Sequence, residues 1–88
     1  MFSGIVECAA TVADARMVDG NLQLSVKCPF TDELRIDQSV AHNGVCLTVV
    51  AIHPDGVYEV TAIQETLDRS NLGLLRKGDL VNLERSML

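Results

Sequence analysis

Aromatic and basic side chains are both scarce in this sequence. Only 3% of its 88 residues are aromatic and Trp is absent, which argues against a site that holds several nucleic-acid bases by stacking. Seven Lys and Arg residues stand against twelve Asp and Glu, for a net charge of −5, and they form no basic stripe. We therefore expect no nucleic-acid partner.

The sequence also lacks the signals of a secreted, membrane or metal-binding protein. Its three cysteines form no C-x-x-C pair, so reduced thiols in a cytoplasm are a simpler interpretation than a disulfide framework. The N-terminus has no signal-peptide pattern, and the longest nearly apolar run, residues 44–52, is too short to span a bilayer. His42 and His53 have no third ligand at metal spacing. We expect a cytoplasmic protein with no membrane partner and no metal.

Short extended segments separated by turn residues make up most of the chain. Asp19-Gly20 is a two-residue hairpin signal, because a type I′ turn needs the positive φ that Asp and Gly tolerate. The pattern predicts one all-β domain, a small antiparallel barrel or sandwich whose core is built from Val, Leu, Ile and Ala. The six predicted strands cover residues 5–18, 22–27, 39–42, 45–52, 57–63 and 80–83.

Two segments between the strands favour short helices. Thr31 is followed by acidic residues, which predicts one helical turn with Thr31 as its N-cap. Residues 65–71 predict a second short helix that ends near Gly73. No segment has sustained helical periodicity, so a helix bundle is excluded.

Four phrases occur in a fixed order along the chain: MFSGIVE at residues 1–7, NGVCLTV at 43–49, ETLDRSNLG at 65–73 and GDLVNLER at 78–85. Together they resemble the N-terminal half of riboflavin synthase (alpha chain), over residues 1–85. The resemblance implies a six-stranded antiparallel Greek-key barrel with one or two short helices. It also implies that residues 1–88 are a single lumazine- or riboflavin-binding domain. The family's chain carries a second, similar barrel after this one, at positions that would fall beyond Leu88.

The N-terminal phrase supplies the first candidate binding residues. A glycine before a strand lets the backbone approach a flat ligand, although Gly4-Ile5-Val6 also fits an ordinary strand start. The resemblance implies that Gly4, Ile5 and Val6 lie along the bound ring, with Phe2 at the mouth of the site. Ser3 stands where the family more often has Thr, and it keeps the hydroxyl.

The second phrase contains Cys46, Leu47 and Thr48. Cys46 and Thr48 share one face of the predicted strand, and Leu47 lies on the other. Taken alone, Cys46 fits a buried small hydrophobe and Thr48 an ordinary strand residue. The resemblance implies instead that all three contact the substrate, and that Ser39 lies at the active site. A Thr hydroxyl both donates and accepts, which suits a ribityl chain or a ring nitrogen.

The third group lies where a strand runs into a short helix. Such a junction presents backbone N–H and C=O groups, although it also fits a plain helix start. The resemblance implies that these groups pair with the pyrimidinedione edge of the ring, and the residues are Ala62, Ile63, Gln64, Glu65 and Thr66. It further implies that the residues taking part in catalysis are Phe2, Ser39, Cys46 and Thr66.

The histidines are not expected to act in catalysis. We expect His42 to lie at the surface because it is next to a turn, and the family's His-bearing segment falls beyond Leu88. His53 is expected to be solvated beside its Pro-Asp-Gly turn. The acidic residues expected to be solvated charges are Asp14, Asp19, Asp32 and Glu33.

The resemblance implies a dismutation in which one 6,7-dimethyl-8-ribityllumazine gives a four-carbon unit to another. The products are riboflavin and 5-amino-6-ribitylamino-pyrimidinedione, and no redox cofactor or metal is called for. In the family two barrels hold the two rings. We therefore expect this single half to bind the lumazine or riboflavin, to be weakly active or inactive, and to form a homodimer. In a full-length chain its partner is the C-terminal barrel.

Two other classes of function stay open. One is a non-catalytic domain of the lumazine-protein type, which holds the fluorophore as an optical partner. The other is a small barrel that binds a different flavin or a protein. The sequence has no R-x-Y-S/T phrase of the kind that flavin-reductase barrels carry.

Overall fold

Strands dominate the fold, with three short helical segments between them. The computed structural model describes residues 8–85. The strands are β1 (Cys8–Val18), β2 (Asn21–Lys27), β3 (Ser39–His42), β4 (Val45–Ile52), β5 (Val57–Ala62) and β6 (Leu80–Arg85). The helical segments are α1 (Gln64–Asp68) and two 3₁₀ turns, Thr31–Glu33 and Leu72–Leu74. None of the helical segments in this part of the chain is long and apolar enough to cross a membrane.

The six strands close into one antiparallel barrel in the order β1-β2-β5-β4-β3-β6. Hairpins join β1 to β2, β3 to β4 and β4 to β5, and longer connections carry the chain from β2 to β3 and from β5 to β6. Closure pairs each strand with two neighbours, so no strand is an edge strand over its whole length. The predicted Greek-key barrel is confirmed.

Two hairpins use the same two-residue turn. Asp19 and Gly20 have φ of 52° and 82°, and Asn43 and Gly44 have φ of 50° and 84°. Two successive residues with positive φ are what a type I′ turn requires. The hairpin predicted at Asp19-Gly20 is confirmed, and Asn43-Gly44 forms its counterpart.

The core follows the two-residue period of the strands. Leu22, Leu24 and Val26 of β2 are buried, and Gln23 and Ser25 between them are half-buried on the outer face. The same alternation buries every second residue of β5. The inward residues are mostly Val and Leu, as the composition predicted, with one large aromatic, Tyr58, fully buried among them.

The helical segments differ from the prediction in detail. The N-cap of the first 3₁₀ turn is Phe30, and Thr31 is its first residue, so the prediction for Thr31 was wrong. The Thr31 hydroxyl donates to the Gly56 carbonyl at 2.7 Å, and the Thr31 side chain is itself buried. The predicted helix at 65–71 is present but shorter, since α1 ends at Asp68 and a separate 3₁₀ turn follows.

Candidate functional site

Ser39, Cys46 and Thr48 lie together on the outer face of the barrel. Ser39 and Thr48 are direct partners in the β3–β4 ladder, so their side chains share one face. Cys46 and Thr48 are exposed, and Ser39 is half-buried. Leu47 is only 4% exposed and points into the core, so a ligand can meet it through its backbone alone. The faces predicted for this strand are confirmed.

The first half of β4 is paired on one side only within the described residues. Its ladder with β3 runs from Ser39–Thr48 to His42–Val45. Its ladder with β5 includes no pair beyond Val49–Val60 in the direction of Cys46. We call the two segments that face each other there, residues 46–48 of β4 and 61–63 after Val60, the β4–β5 seam.

Backbone polar groups of β4 are directed toward this seam. Val49 donates its N–H to Gln38 and accepts at its C=O from Asp37, both at 2.9 Å, so Val49 faces the β3 side. Because alternate residues of a strand direct their N–H and C=O to the same neighbour, Cys46 and Thr48 direct theirs to the β5 side. The seam is therefore lined by main-chain donors and acceptors.

The third predicted group lies on the opposite wall of the seam. Ala62 is fully buried and Ile63 is 53% exposed, so the chain emerges from the barrel between them. Ile63 is the N-cap of α1, and no side chain among residues 8–85 caps it. The first amide bonded within the helix is that of Leu67, which donates to the Ile63 carbonyl at 3.0 Å. The amides of residues 64–66 thus precede the helical ladder.

The side chains of Gln64 and Glu65 are occupied within their own helix. The Gln64 amide donates to the Asp68 carboxylate at 2.9 Å, and Glu65 lies 3.2 Å from the Arg69 guanidinium. Thr66 is half-buried, and its carbonyl accepts from the Ser70 hydroxyl at 2.7 Å. In this region the backbone, the Thr66 hydroxyl and the exposed Ile63 side chain remain to meet a ligand.

The antiparallel register brings these two groups to the same end of the β4–β5 pair. Moving from Val49 toward Cys46 on β4 corresponds to moving from Val60 toward Ile63 on β5. One further step of the same register places Thr48 opposite Thr61, a half-buried residue that the sequence did not single out. Its signal is its place between the inward residues Val60 and Ala62, which puts it on the outer face.

The remaining predicted site residues lie outside the part of the chain that the structure describes. These are Phe2, Gly4, Ile5 and Val6.

His42 lies inside the barrel, so the expectation of a surface residue was wrong. It is fully buried, two residues after the inward Val40 and therefore on the same face of β3. Its Nδ1 lies 2.9 Å from the Val40 carbonyl and its Nε2 lies 2.8 Å from the Tyr58 hydroxyl. Since a carbonyl only accepts, Nδ1 carries the proton and Nε2 accepts from Tyr58.

Burial fixes the charge of this pair. Loss of solvent lowers the pKa of His42 to about 4, although the Val40 carbonyl opposes the shift, and burial raises the pKa of the Tyr58 hydroxyl. Both groups are therefore neutral near pH 7 and face away from the seam. The period-two pattern of β3 could have located His42, because Val40 and His42 share its inward face.

The other ionisable residues that the sequence singled out lie at the surface. His53 is exposed and lies 2.7 Å from the Glu59 carboxylate. Two of the predicted solvated acids also pair with arginines: Asp14 lies 3.3 Å from Arg16, and Glu33 lies 3.2 Å from Arg85. Within residues 8–85 no group of three or more His, Cys, Asp or Glu side chains is arranged to hold a metal ion.

Two shallow depressions lie away from the seam. One, of about 540 Å³, is between the first 3₁₀ turn and the β4–β5 turn, with Cys28, Thr31 and His53 in its wall. The other, of about 760 Å³, lies along residues 67–74. Neither is lined by the predicted site residues, so neither of these depressions coincides with the seam.

Comparison with known proteins assigns the family. The model of the lumazine binding domain matches residues 3–86. Riboflavin synthase of Mycobacterium bovis is 45% identical over 98% of this chain, which spans only 43% of that relative. Structures of LumP complexed with riboflavin and with 6,7-dimethyl-8-(1'-D-ribityl) lumazine both superpose with a TM-score of 0.87. The riboflavin complex is 26% identical over all of this chain, which covers 50% of that structure's chain. The lumazine complex is 23% identical over 97% of this chain, which covers 49% of that structure's chain.

The chain thus spans about half the length of the relatives that it matches. The likeness to LumP at 23% identity supports the fold alone, whereas the family model and the 45% identity also support the sequence relationship. The resemblance read from the four sequence phrases is confirmed. The chain belongs to the lumazine binding domain family and is homologous to riboflavin synthase.

Proposed function

We propose that this chain binds 6,7-dimethyl-8-ribityllumazine or riboflavin at the β4–β5 seam, as the N-terminal barrel domain of a riboflavin synthase. The observation that supports it most is the seam itself, where the β4–β5 ladder ends at Val49–Val60 and Cys46, beyond that end, directs its backbone groups toward the β5 side. The ring of such a ligand has a donor–acceptor edge that can take the place of a strand. The 88 residues then act as a single binding domain.

The two walls of the seam fit different parts of the ligand. On the α1 side, the amides of residues 64–66 precede the helical ladder and suit the carbonyl oxygens of a pyrimidinedione. On the β3–β4 side, the hydroxyls of Ser39 and Thr48 share one face and suit the ribityl chain, since each can both donate and accept. Ile63 supplies exposed apolar surface between them.

Catalysis requires two such ligands face to face. The reaction moves a four-carbon unit between two lumazines, and its main demand on the protein is to hold both rings in the reactive orientation. One seam holds one ring, so we propose that the second ring is held by another barrel. This is the C-terminal barrel in a full-length chain, or a second copy in a homodimer of this one.

Ser39, Cys46 and Thr66 are the described residues that we propose to take part in this reaction. The chemistry calls for no redox cofactor and no metal, because the C7 methyl group of the lumazine is itself acidic. The relatives are named riboflavin synthase, which supports the same assignment. We place the protein in the cytoplasm, where its three free thiols stay reduced.

A non-catalytic fluorophore carrier is the second candidate. It is favoured by the superposition on LumP with a TM-score of 0.87. The riboflavin synthase proposal has the stronger support, since the identity is 45% to the M. bovis enzyme and 26% to the riboflavin complex of LumP.

A titration separates binding from catalysis. Riboflavin fluorescence is followed as the chain is added, with heat-unfolded chain as the control, and saturation at one ligand per chain is expected. Riboflavin formation from the lumazine is then compared with that of a full-length riboflavin synthase. Slow or undetectable turnover despite binding supports the single-barrel proposal, whereas equal rates per site contradict it. No spectral change at a large excess of ligand contradicts the binding proposal.

A further inference from the structure

Asn43 completes the β3–β6 ladder with its side chain. The ladder pairs Val40 with Arg85, Ala41 with Glu84 and His42 with Leu83, so its next pair is Asn43 with Asn82. The backbone N–H of Asn43 donates to the Asn82 carbonyl at 2.8 Å, as a ladder pair would. The N–H of Asn82 donates not to the Asn43 carbonyl but to its side-chain Oδ1, also at 2.8 Å.

The turn explains this substitution of one acceptor for another. Asn43 has φ of 50° because it is the first residue of the type I′ turn. A left-handed residue rotates its carbonyl out of the ladder direction, and the Asn side chain is short enough to present an oxygen in its place. We call these two bonds between Asn43 and Asn82 the hairpin clamp.

The hairpin clamp lies at the tip of the β3–β4 hairpin, next to a segment with few ladder contacts among residues 8–85. The next residues, 45–48, belong to the half of β4 that has no described ladder with β5. The tip is therefore held from the β6 side, and the clamp is the last cross-strand contact before the chain turns into Val45 and Cys46. Loss of the clamp would remove the side-chain contact between the hairpin tip and β6, next to the wall of the seam that carries Cys46 and Thr48.

We propose that Asn43 is a positioning residue of the lumazine-type site, which sets the β4 wall of the β4–β5 seam without touching the ligand. This inference rests on the proposed function. It assigns the Asn of the Asn43-Gly44 turn a role beyond forming the turn, since Gly at the same position would satisfy φ but would supply no acceptor.

The test compares three variants. Asn43→Gly keeps the turn and loses Oδ1, and Asn43→Asp keeps an acceptor oxygen. Asp19→Gly is the matched control, because Asp19 occupies the same turn position with φ of 52° in the β1–β2 hairpin. Riboflavin Kd and amide hydrogen exchange are measured where all variants are folded by circular dichroism.

Asn43→Gly is expected to weaken riboflavin binding roughly two- to tenfold, the range of one hydrogen bond, and to speed exchange at residues 45–48. Asn43→Asp is expected to restore both values to near those of the wild type, and Asp19→Gly to change neither. Wild-type affinity in Asn43→Gly, or equal losses in Asn43→Gly and Asp19→Gly, would overturn the inference. If the wild type binds no riboflavin, the proposed function fails. The exchange rates of Asn43→Gly then test whether the clamp holds the hairpin tip, and unchanged exchange at residues 45–48 overturns that role.

Discussion

The β1–β2 and β3–β4 hairpins have the same turn but different surroundings. Both turns place an Asx residue and a Gly at positive φ, and an added Cβ on Gly20 or Gly44 would meet no atom within 4 Å. The β1–β2 tip lies beyond the β1–β6 ladder, which pairs residues 8–11 of β1 only. The β3–β4 hairpin is tied to β6 by the clamp at Asn43 and to β5 by the hydrogen bond of His42 with Tyr58.

This difference shows which properties of a hairpin are local. Two residues determine the turn, whereas strands distant in sequence determine what the hairpin can do. The β3–β4 hairpin carries Ser39, Cys46 and Thr48 on one side and the buried His42 on the other. Its outer face can hold a ligand because its inner face and its tip are held by other strands.

The largest expected effect is a loss of folding stability in acid, caused by the buried His42 that joins the β3–β4 hairpin to β5. His42 has a folded-state pKa of about 4 against 6.5 in an unfolded chain, so the unfolded chain binds more protons between these values. The contribution of His42 to the free energy of unfolding is fully present above about pH 6.5. It decreases as the pH falls from 6.5 to about 4, and below that it no longer changes. Each pKa unit is worth about 1.4 kcal/mol, so we expect a loss of about 3 kcal/mol in the free energy of unfolding.

Urea unfolding at a series of pH values measures this loss. The double variant His42→Leu, Tyr58→Phe replaces both partners with apolar groups and should reduce the acid loss by that amount. His53→Gln is the matched control, because His53 is exposed, and it should leave the acid loss of the wild type in place. An acid loss in the double variant equal to that of the wild type would contradict the assignment to His42.

A smaller effect on the free energy of unfolding tests whether the two turns have the same backbone strain. Gly20→Ala and Gly44→Ala each place a Cβ at positive φ without a clash, so backbone strain alone should cost about 1–2 kcal/mol in either hairpin. Denaturant unfolding of both variants should give similar values. A much larger cost at Gly44 would show that the clamp and the turn are coupled in stability as well as in position.

The smallest expected effect is on ligand affinity at the outer face. Thr48→Val removes one hydroxyl from the seam and should weaken riboflavin binding by about 1 kcal/mol, with little change in the free energy of unfolding. Thr11→Val is the matched control, since Thr11 is also an exposed strand Thr but lies on β1. Equal affinities of the two variants would show that the Thr48 hydroxyl does not face the ligand.

Much of the barrel was predictable because strand period and turn chemistry are local. The strand with Leu22, Leu24 and Val26 and the turn at Asp19-Gly20 can each be recognised from a few consecutive residues. The position of Thr31 was not predictable, because its hydroxyl bonds to Gly56, a residue 25 positions away. The adjacency of a turn was a misleading guide for His42, since the inward face of β3 continues up to the turn itself.

The candidate site divides in the same way. The outward faces of Cys46 and Thr48 follow from the period of one strand, and the structure agrees. The seam could not be read from the sequence, because it depends on where the β4–β5 ladder stops, which is a property of two strands and their register. The side-chain clamp of Asn43 on Asn82 likewise needs β3 and β6 side by side.

The location of the bound ring tests the central claim most directly. Amide chemical-shift changes are mapped as riboflavin is added to the isotopically labelled chain. We predict that the largest changes occur at Ser39, at residues 46–48 and at residues 61–66, and that they saturate with the fluorescence titration. Saturable binding with changes confined to the depression at Cys28, Thr31 and His53, or to the one along residues 67–74, would contradict the assignment of the site to the β4–β5 seam.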